Sequence, residues 1–152
     1  MNAAYGDVIF VERFLYDHYG IYTGGQQVIH YCKPEGNSCC DGVILETDIS
    51  KFLDGAKKYN VLDCSPLLEK PSILWSSGLD WLRYWNLNED TKLYSPEETV
   101  QRARKIMSMG RHDYNVLFNN CEHFAVWCKT GLKESQQVRD KIATLIQFIL
   151  PR

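Results

Sequence analysis

Six cysteines and four histidines are the residues of this 152-residue chain best suited to nucleophilic chemistry, and Cys121 has the most telling surroundings. It follows Asn119 and Asn120, either of which can cap a helix running through Phe124 and Trp127 and stopping near Gly131. A cysteine at a helix start meets unpaired backbone N–H groups and the positive end of the dipole, both of which favour a thiolate. The same N–H groups suit an oxyanion developing on a bound carbonyl. The competing role is that of a small buried hydrophobe, a common fate of reduced cysteine.

A thiol nucleophile needs a base. His123 lies two residues from Cys121 on the same expected helix, so its ring points away and is expected to pack or hydrogen-bond structurally. His112, between Arg111 and Asp113, reads as a solvent-facing loop residue. His18 and His30 flank an expected hairpin. Pairing centred on Gly24-Gly25 would set them opposite one another. One imidazole could then take the thiol proton while the other fixed its tautomer and steadied its charge. A pair of ordinary core or surface histidines fits the same spacing.

Composition narrows the alternatives. The chain is 45% hydrophobic, enough for one domain with a modest core. With 17 Lys plus Arg against 19 Asp plus Glu, a net charge of -2 gives no general pull toward nucleic acid or anionic lipid. No apolar h-region precedes the charged residues Asp7, Glu12 and Arg13, which predicts reduced thiols and a cytoplasmic setting. Cys39-Cys40 cannot make a C-x-x-C turn and no other pair has that spacing, so no metal site is expected. No run of 18 apolar residues is present to span a bilayer.

The elements that must position these side chains are legible in outline. Asp7 to Val11, Tyr19 to Thr23, Gln27 to Tyr31, Gly42 to Glu46 and Lys58 to Leu62 read as strands. Asp48 or Ser50 can cap a short helix through Leu53 that Gly55 ends. Ser95-Pro96-Glu97-Glu98 is a capping box with proline at the first helical position, and Val100, Ala103, Ile106 and Met107 form an apolar face ahead of Gly110. Val138 to Leu150 carries an apolar stripe suited to the core or a partner. The expected class is α+β, a small antiparallel sheet packed against helices.

Two blocks of sequence carry a resemblance to a known family. Gly6-Asp7-Val8-Ile9-Phe10, His18-Tyr19-Gly20-Ile21-Tyr22-Thr23-Gly24 and Val28-Ile29-His30 resemble the amino-terminal signature of the lecithin:retinol acyltransferase family and its phospholipase/acyltransferase relatives. Tyr114 to Phe124, containing Asn119-Asn120-Cys121-Glu122-His123, resembles the family's asparagine-cysteine box, and Tyr94 to Ala103 the helix before it. The resemblance implies a circularly permuted papain-like fold over 1–152, with His18 as general base, His30 as second polar residue and Cys121 as nucleophile. It further implies attack on an sn-1 or sn-2 glycerophospholipid ester, an acyl-thioester, and transfer to water, an amine or a lysolipid, without metal or organic cofactor. Phospholipid chemistry is favoured over retinol, because no retinoid-specific feature is identifiable.

The chain departs from the family pattern in three places. Tyr19 stands where the family usually has tryptophan, the loop from Cys32 to Asp41 lacks the usual apolar-proline continuation, and Pro71 to Tyr94 reads as an aromatic-rich insertion at about 71–93. Such a segment suits a structural flap, the lining of an acyl tunnel or peripheral contact with intracellular membranes. The rival expectation is a non-catalytic interaction domain that keeps the fold and binds host or viral partners, as in picornaviral 2A-type proteins.

Overall fold

The structure is a computed structural model that describes residues 2–14, 17–32, 43–68, 91–109 and 121–132. Five β-rich stretches form β1 (Val8–Glu12), β2 (Asp17–Gly24), β3 (Gln27–Cys32), β4 (Val43–Asp48) and β5 (Asn60–Leu62). They make one antiparallel sheet in the order β4-β3-β2-β1-β5. Among the described residues three α-helices accompany it: α1 (Ile49–Leu53), α2 (Pro96–Met109) and α3 (Cys121–Thr130). The fold is α+β, as the sequence predicts.

The fourth strand is longer than expected, reaching Asp48, and the fifth is shorter, beginning at Asn60. The larger correction is the hairpin register. Gly24 pairs with Gln27, so the central turn residues are Gly25 and Gln26, both with positive φ (55° and 64°), the type I′ pattern. An irregularity between Tyr22 and Gly24 shifts the register once more, and Gly20 rather than His18 lies opposite His30. His18 and His30 are therefore diagonal neighbours on one face, a separation that ring side chains can still bridge.

Alternation and register sort the side chains into two layers. Ile9 and Val11 of β1, His18 and Gly20 of β2, Val28 and His30 of β3 and Thr47 of β4 share one face. There Ile9, Val11 and Val28 pack with Ile49 and Phe52 of α1. The opposite face presents Val8, Ile21 and Ile29 to Val100, Ala103 and Ile106 of α2 and Phe124, Ala125 and Cys128 of α3.

Helix α1 is too short to persist unaided. Asp48 caps it, accepting the Ser50 N–H at 2.9 Å, and Asp54, not Gly55, is the first residue to turn left-handed at its end. Arg13 closes that end by donating to the carbonyls of Phe52 and Leu53 at 3.2 Å each. Helix α2 opens with the expected reciprocal box: Ser95 N–H donates to Glu98 Oε2 (3.0 Å) and Glu98 N–H to Ser95 Oγ (3.2 Å).

The carboxyl end of α3 is fastened from three directions. Arg102 of α2 donates to the carbonyls of Trp127 (3.0 Å) and Cys128 (3.1 Å), with its guanidinium over the rings of Tyr94 and Trp127. The Lys92 and Tyr94 amides donate to the carbonyls of Thr130 and Lys129, and Lys129 Nζ reaches the Gly6 carbonyl at 3.2 Å. Gly6, at φ 80°, lies so close to Pro96 that a Cβ there would come within 2.5 Å of the Pro96 Cα. These contacts set the axis of α3, and with it the place where its first residue arrives. Most of the aromatic segment at about 71–93, Gly110, His112, Asn119, Asn120, Cys39, Cys40 and Val138 to Leu150 lie outside the described residues.

Candidate active site

Cys121 is the first residue of α3 and is buried. At that position the opening amides of the helix have no intrahelical partner. The sulfur rests on the backbone of β2 on either side of His18: the Tyr19 N–H donates to Sγ at 3.4 Å, and the thiol donates to the Asp17 carbonyl at 3.6 Å. Helix α3 packs on one face of the sheet and the His18 ring projects from the other. The sulfur thus lies against the strand that carries His18.

His18 Nε2 and His30 Nδ1 are 2.9 Å apart, with the rings edge to face. His30 Nε2 lies 2.8 Å from Thr47 Oγ1. The Phe52 ring covers both imidazoles, at centroid distances of 5.0 Å and 5.2 Å. Gly20 makes room for that ring, since a Cβ there would fall 3.0 Å from Phe52 Cε2 and 2.6 Å from Val28 Cγ1. His18 Nδ1 is buried and has no hydrogen-bond partner among the described residues. Among the described residues His18 Nδ1 therefore has no hydrogen bond to the Cys121 thiol, although such bonds are often loose before substrate arrives.

Burial dominates the electrostatics. It lowers the His18 pKa to about 4, with the Arg13 charge pushing the same way and Asp54 opposing. It lowers that of His30 to about 3, with His18 as the next cause. Both rings are neutral at neutral pH, the form able to accept a proton. Burial has the opposite effect on the other described thiols: Cys32 and Cys64 are each raised to about 11, and Cys128 is raised as well. These three are held as unreactive thiols.

The structure thus gathers the three predicted residues, His18 and His30 through a direct hydrogen bond and Cys121 through the β2 backbone. His123 is buried on α3, not solvent-facing, in keeping with a packing role. Thr47, Phe52 and Cys32 also touch the histidine pair, the Cys32 sulfur lying 3.2 Å from His30 Nε2. Sequence reasoning ended the fourth strand at Glu46, just short of Thr47, and passed over Phe52 inside a short helix running through Leu53. Only the register across three strands shows what they touch. No group of three or more potential metal ligands occurs among the described residues, and none of the helices there is long and apolar enough to cross a membrane.

Comparison with known proteins identifies the family. The family model described as lecithin retinol acyltransferase matches residues 1–134. Human lecithin retinol acyltransferase is 28% identical over 95% of this chain and 62% of its own length. Mouse phospholipase A and acyltransferase 3 is 29% identical over 90% of this chain and 76% of its own, and the protein LEAD-SENSITIVE 1 of Arabidopsis thaliana is 28% identical over 84% and 57%. The chain thus spans about 60% of the length of the retinol acyltransferase and plant relatives. With a family model covering most of its length, this chain belongs to the lecithin retinol acyltransferase family.

Proposed function

We propose that the chain is a thiol phospholipase A1/A2 and acyltransferase that captures a fatty acyl group from a glycerophospholipid on Cys121. The observation that carries this reading is the lodging of the Cys121 sulfur against the backbone on both sides of His18, whose ring is hydrogen-bonded to His30. The names of the relatives, acyltransferases and phospholipases A, support the same chemistry.

In the proposed cycle His18 accepts the thiol proton and the thiolate attacks the ester carbonyl. The Tyr19 N–H, already directed at sulfur, favours the thiolate, and the opening amides of α3 stabilise the tetrahedral oxyanion. Collapse breaks the ester C–O bond and leaves the acyl group on sulfur, while protonated His18 returns its proton to the lysolipid alkoxide. Water, an amine or a lysolipid hydroxyl then gives a proton to His18 and attacks the thioester, restoring the thiol. His30 holds the His18 ring and steadies its positive charge. The cycle requires no metal or organic cofactor.

The lipid would be met at a membrane surface, consistent with a cytoplasmic protein in peripheral contact. Phe14, in the connection after β1, is fully exposed beside Arg13 and suits that contact. The aromatic segment at about 71–93 would serve the same end within a single domain. Deleting 73–90 in a variant that still folds should weaken liposome binding or turnover; unchanged values would remove that segment from the proposal.

The reading is tested by incubating the purified chain with mixed-acyl phosphatidylcholine and phosphatidylethanolamine, followed by mass analysis of lipids and intact protein. Lysolipid and acylated protein should appear together, with products that name the acceptor. Neither forming on vesicles or micelles would reject the enzyme reading in favour of an interaction domain.

A further inference from the structure

A line of hydrogen bonds runs diagonally across β2, β3 and β4 on the α1 face, and its direction can be worked out from its far end. Thr47 Oγ1 lies 3.2 Å from the Asp48 carbonyl oxygen, which can only accept, so the hydroxyl proton points there. The Thr47 oxygen is then an acceptor toward His30 Nε2 at 2.8 Å, and the His30 proton belongs on Nε2. His30 Nδ1 is left bare and accepts from His18 Nε2–H at 2.9 Å. His18 Nδ1 is consequently unprotonated. It is the ring nitrogen that has no partner among the described residues. The reverse polarity would put a proton on that buried nitrogen with no acceptor, the rarer and costlier kind of orphan.

We propose that Thr47 is a positioning residue that fixes the His18 tautomer, keeping Nδ1 free to take the Cys121 proton. The proposal rests on the reading of His18 as the base. Thr47 is placed for the role by register: it pairs with Val28 while His30 pairs with Leu45, so it stands diagonal to His30 on the side away from His18. Cys32 competes for the same nitrogen, with Sγ 3.2 Å from His30 Nε2. Sulfur is the weaker partner in either direction, and the shorter hydroxyl contact decides the tautomer.

The test is a two-bond proton–nitrogen correlation spectrum of the full chain carrying nitrogen-labelled histidine, which separates Nε2–H from Nδ1–H rings. The wild type should show His18 and His30 both as Nε2–H. Thr47→Val should mix or reverse the His18 pattern, while Thr47→Ser and Cys32→Ala retain it. Where acylation is measurable, Thr47→Val should lower kcat by roughly ten- to a hundredfold with KM little changed, as when a histidine loses the group orienting its second nitrogen, and Thr47→Ser should restore it. His18 carrying its proton on Nδ1 in the wild type would overturn the proposal even if Thr47→Val did not fold. So would an unchanged tautomer in folded Thr47→Val, or loss of the pattern in Cys32→Ala alone. The spectra are read without turnover, so a chain that captures no acyl group would refute the enzyme reading and leave the tautomer result standing.

Discussion

The Tyr19 amide donates to the Cys121 sulfur at 3.4 Å, one residue beyond His18 and across 102 positions of sequence. This contact ties the helix that carries the Cys121 thiol to the strand that carries His18. It also makes the site depend on how α3 is held at its far end and on what covers the histidines.

Replacing Cys121 separates chemistry from folding. Cys121→Ala removes a small side chain, and the expected cost is about 1 kcal/mol in urea unfolding. Acylation should fall by roughly three orders of magnitude or more, the scale on which a nucleophile's loss is felt. A large stability loss with residual turnover would mark Cys121 as a packing residue.

The histidine pair should give stability a pH dependence of known sign. Folding lowers the His18 and His30 pKa values from 6.5 to about 4 and about 3, so in the interval below 6.5 the unfolded chain binds more protons than the native one. Their contribution is complete above pH 6.5 and declines as pH falls through the interval, by about 3 kcal/mol from His18 on reaching pH 4. Urea midpoints between pH 7.5 and 5 should fall accordingly, and less steeply in His18→Gln. Parallel curves for the two proteins would contradict the burial of a neutral imidazole at 18.

Gly20→Ala should injure the site through packing. The added methyl would lie 2.6 Å from Val28 Cγ1 and 3.0 Å from Phe52 Cε2, forcing the ring that covers both imidazoles to move. A destabilisation of about 1–3 kcal/mol is expected, with slower acylation at saturating lipid. A fully active, equally stable variant would show that the Phe52 position does not matter.

Arg102 anchors the end of α3 remote from the thiol. Its two hydrogen bonds to backbone carbonyls and its position over Tyr94 and Trp127 require a planar fork, so lysine is not an equivalent. Arg102→Lys should cost about 1–2 kcal/mol and Arg102→Ala more, in thermal or urea unfolding. Equal stability of Arg102→Lys and wild type would reduce the contact to charge alone.

The parts of the fold legible in sequence were those with local causes. Ser95 and Glu98 capped α2 as their spacing requires, and β-rich runs bounded by glycine became strands. The hairpin register was misread because Gly24-Gly25 suggested a turn one residue early, whereas Gln26 itself takes positive φ and an irregularity follows. That one-residue irregularity is what leaves His18 and His30 on one face and in contact. Thr47 and Phe52 were not recognisable as neighbours of the histidines. Their relation exists only in the pairing of β3 with β4 and in the return of α1 over the sheet.

In the proposed chemistry Cys121 captures the acyl group with His18 as base. The most direct measurement is intact-protein and peptide mass analysis after a brief incubation with a phosphatidylcholine of defined acyl chains. One acyl adduct is expected, mapped to Cys121, absent from Cys121→Ala and formed about a hundredfold or more slowly in His18→Gln. An adduct on another residue, or undiminished acylation of Cys121→Ala, would contradict it.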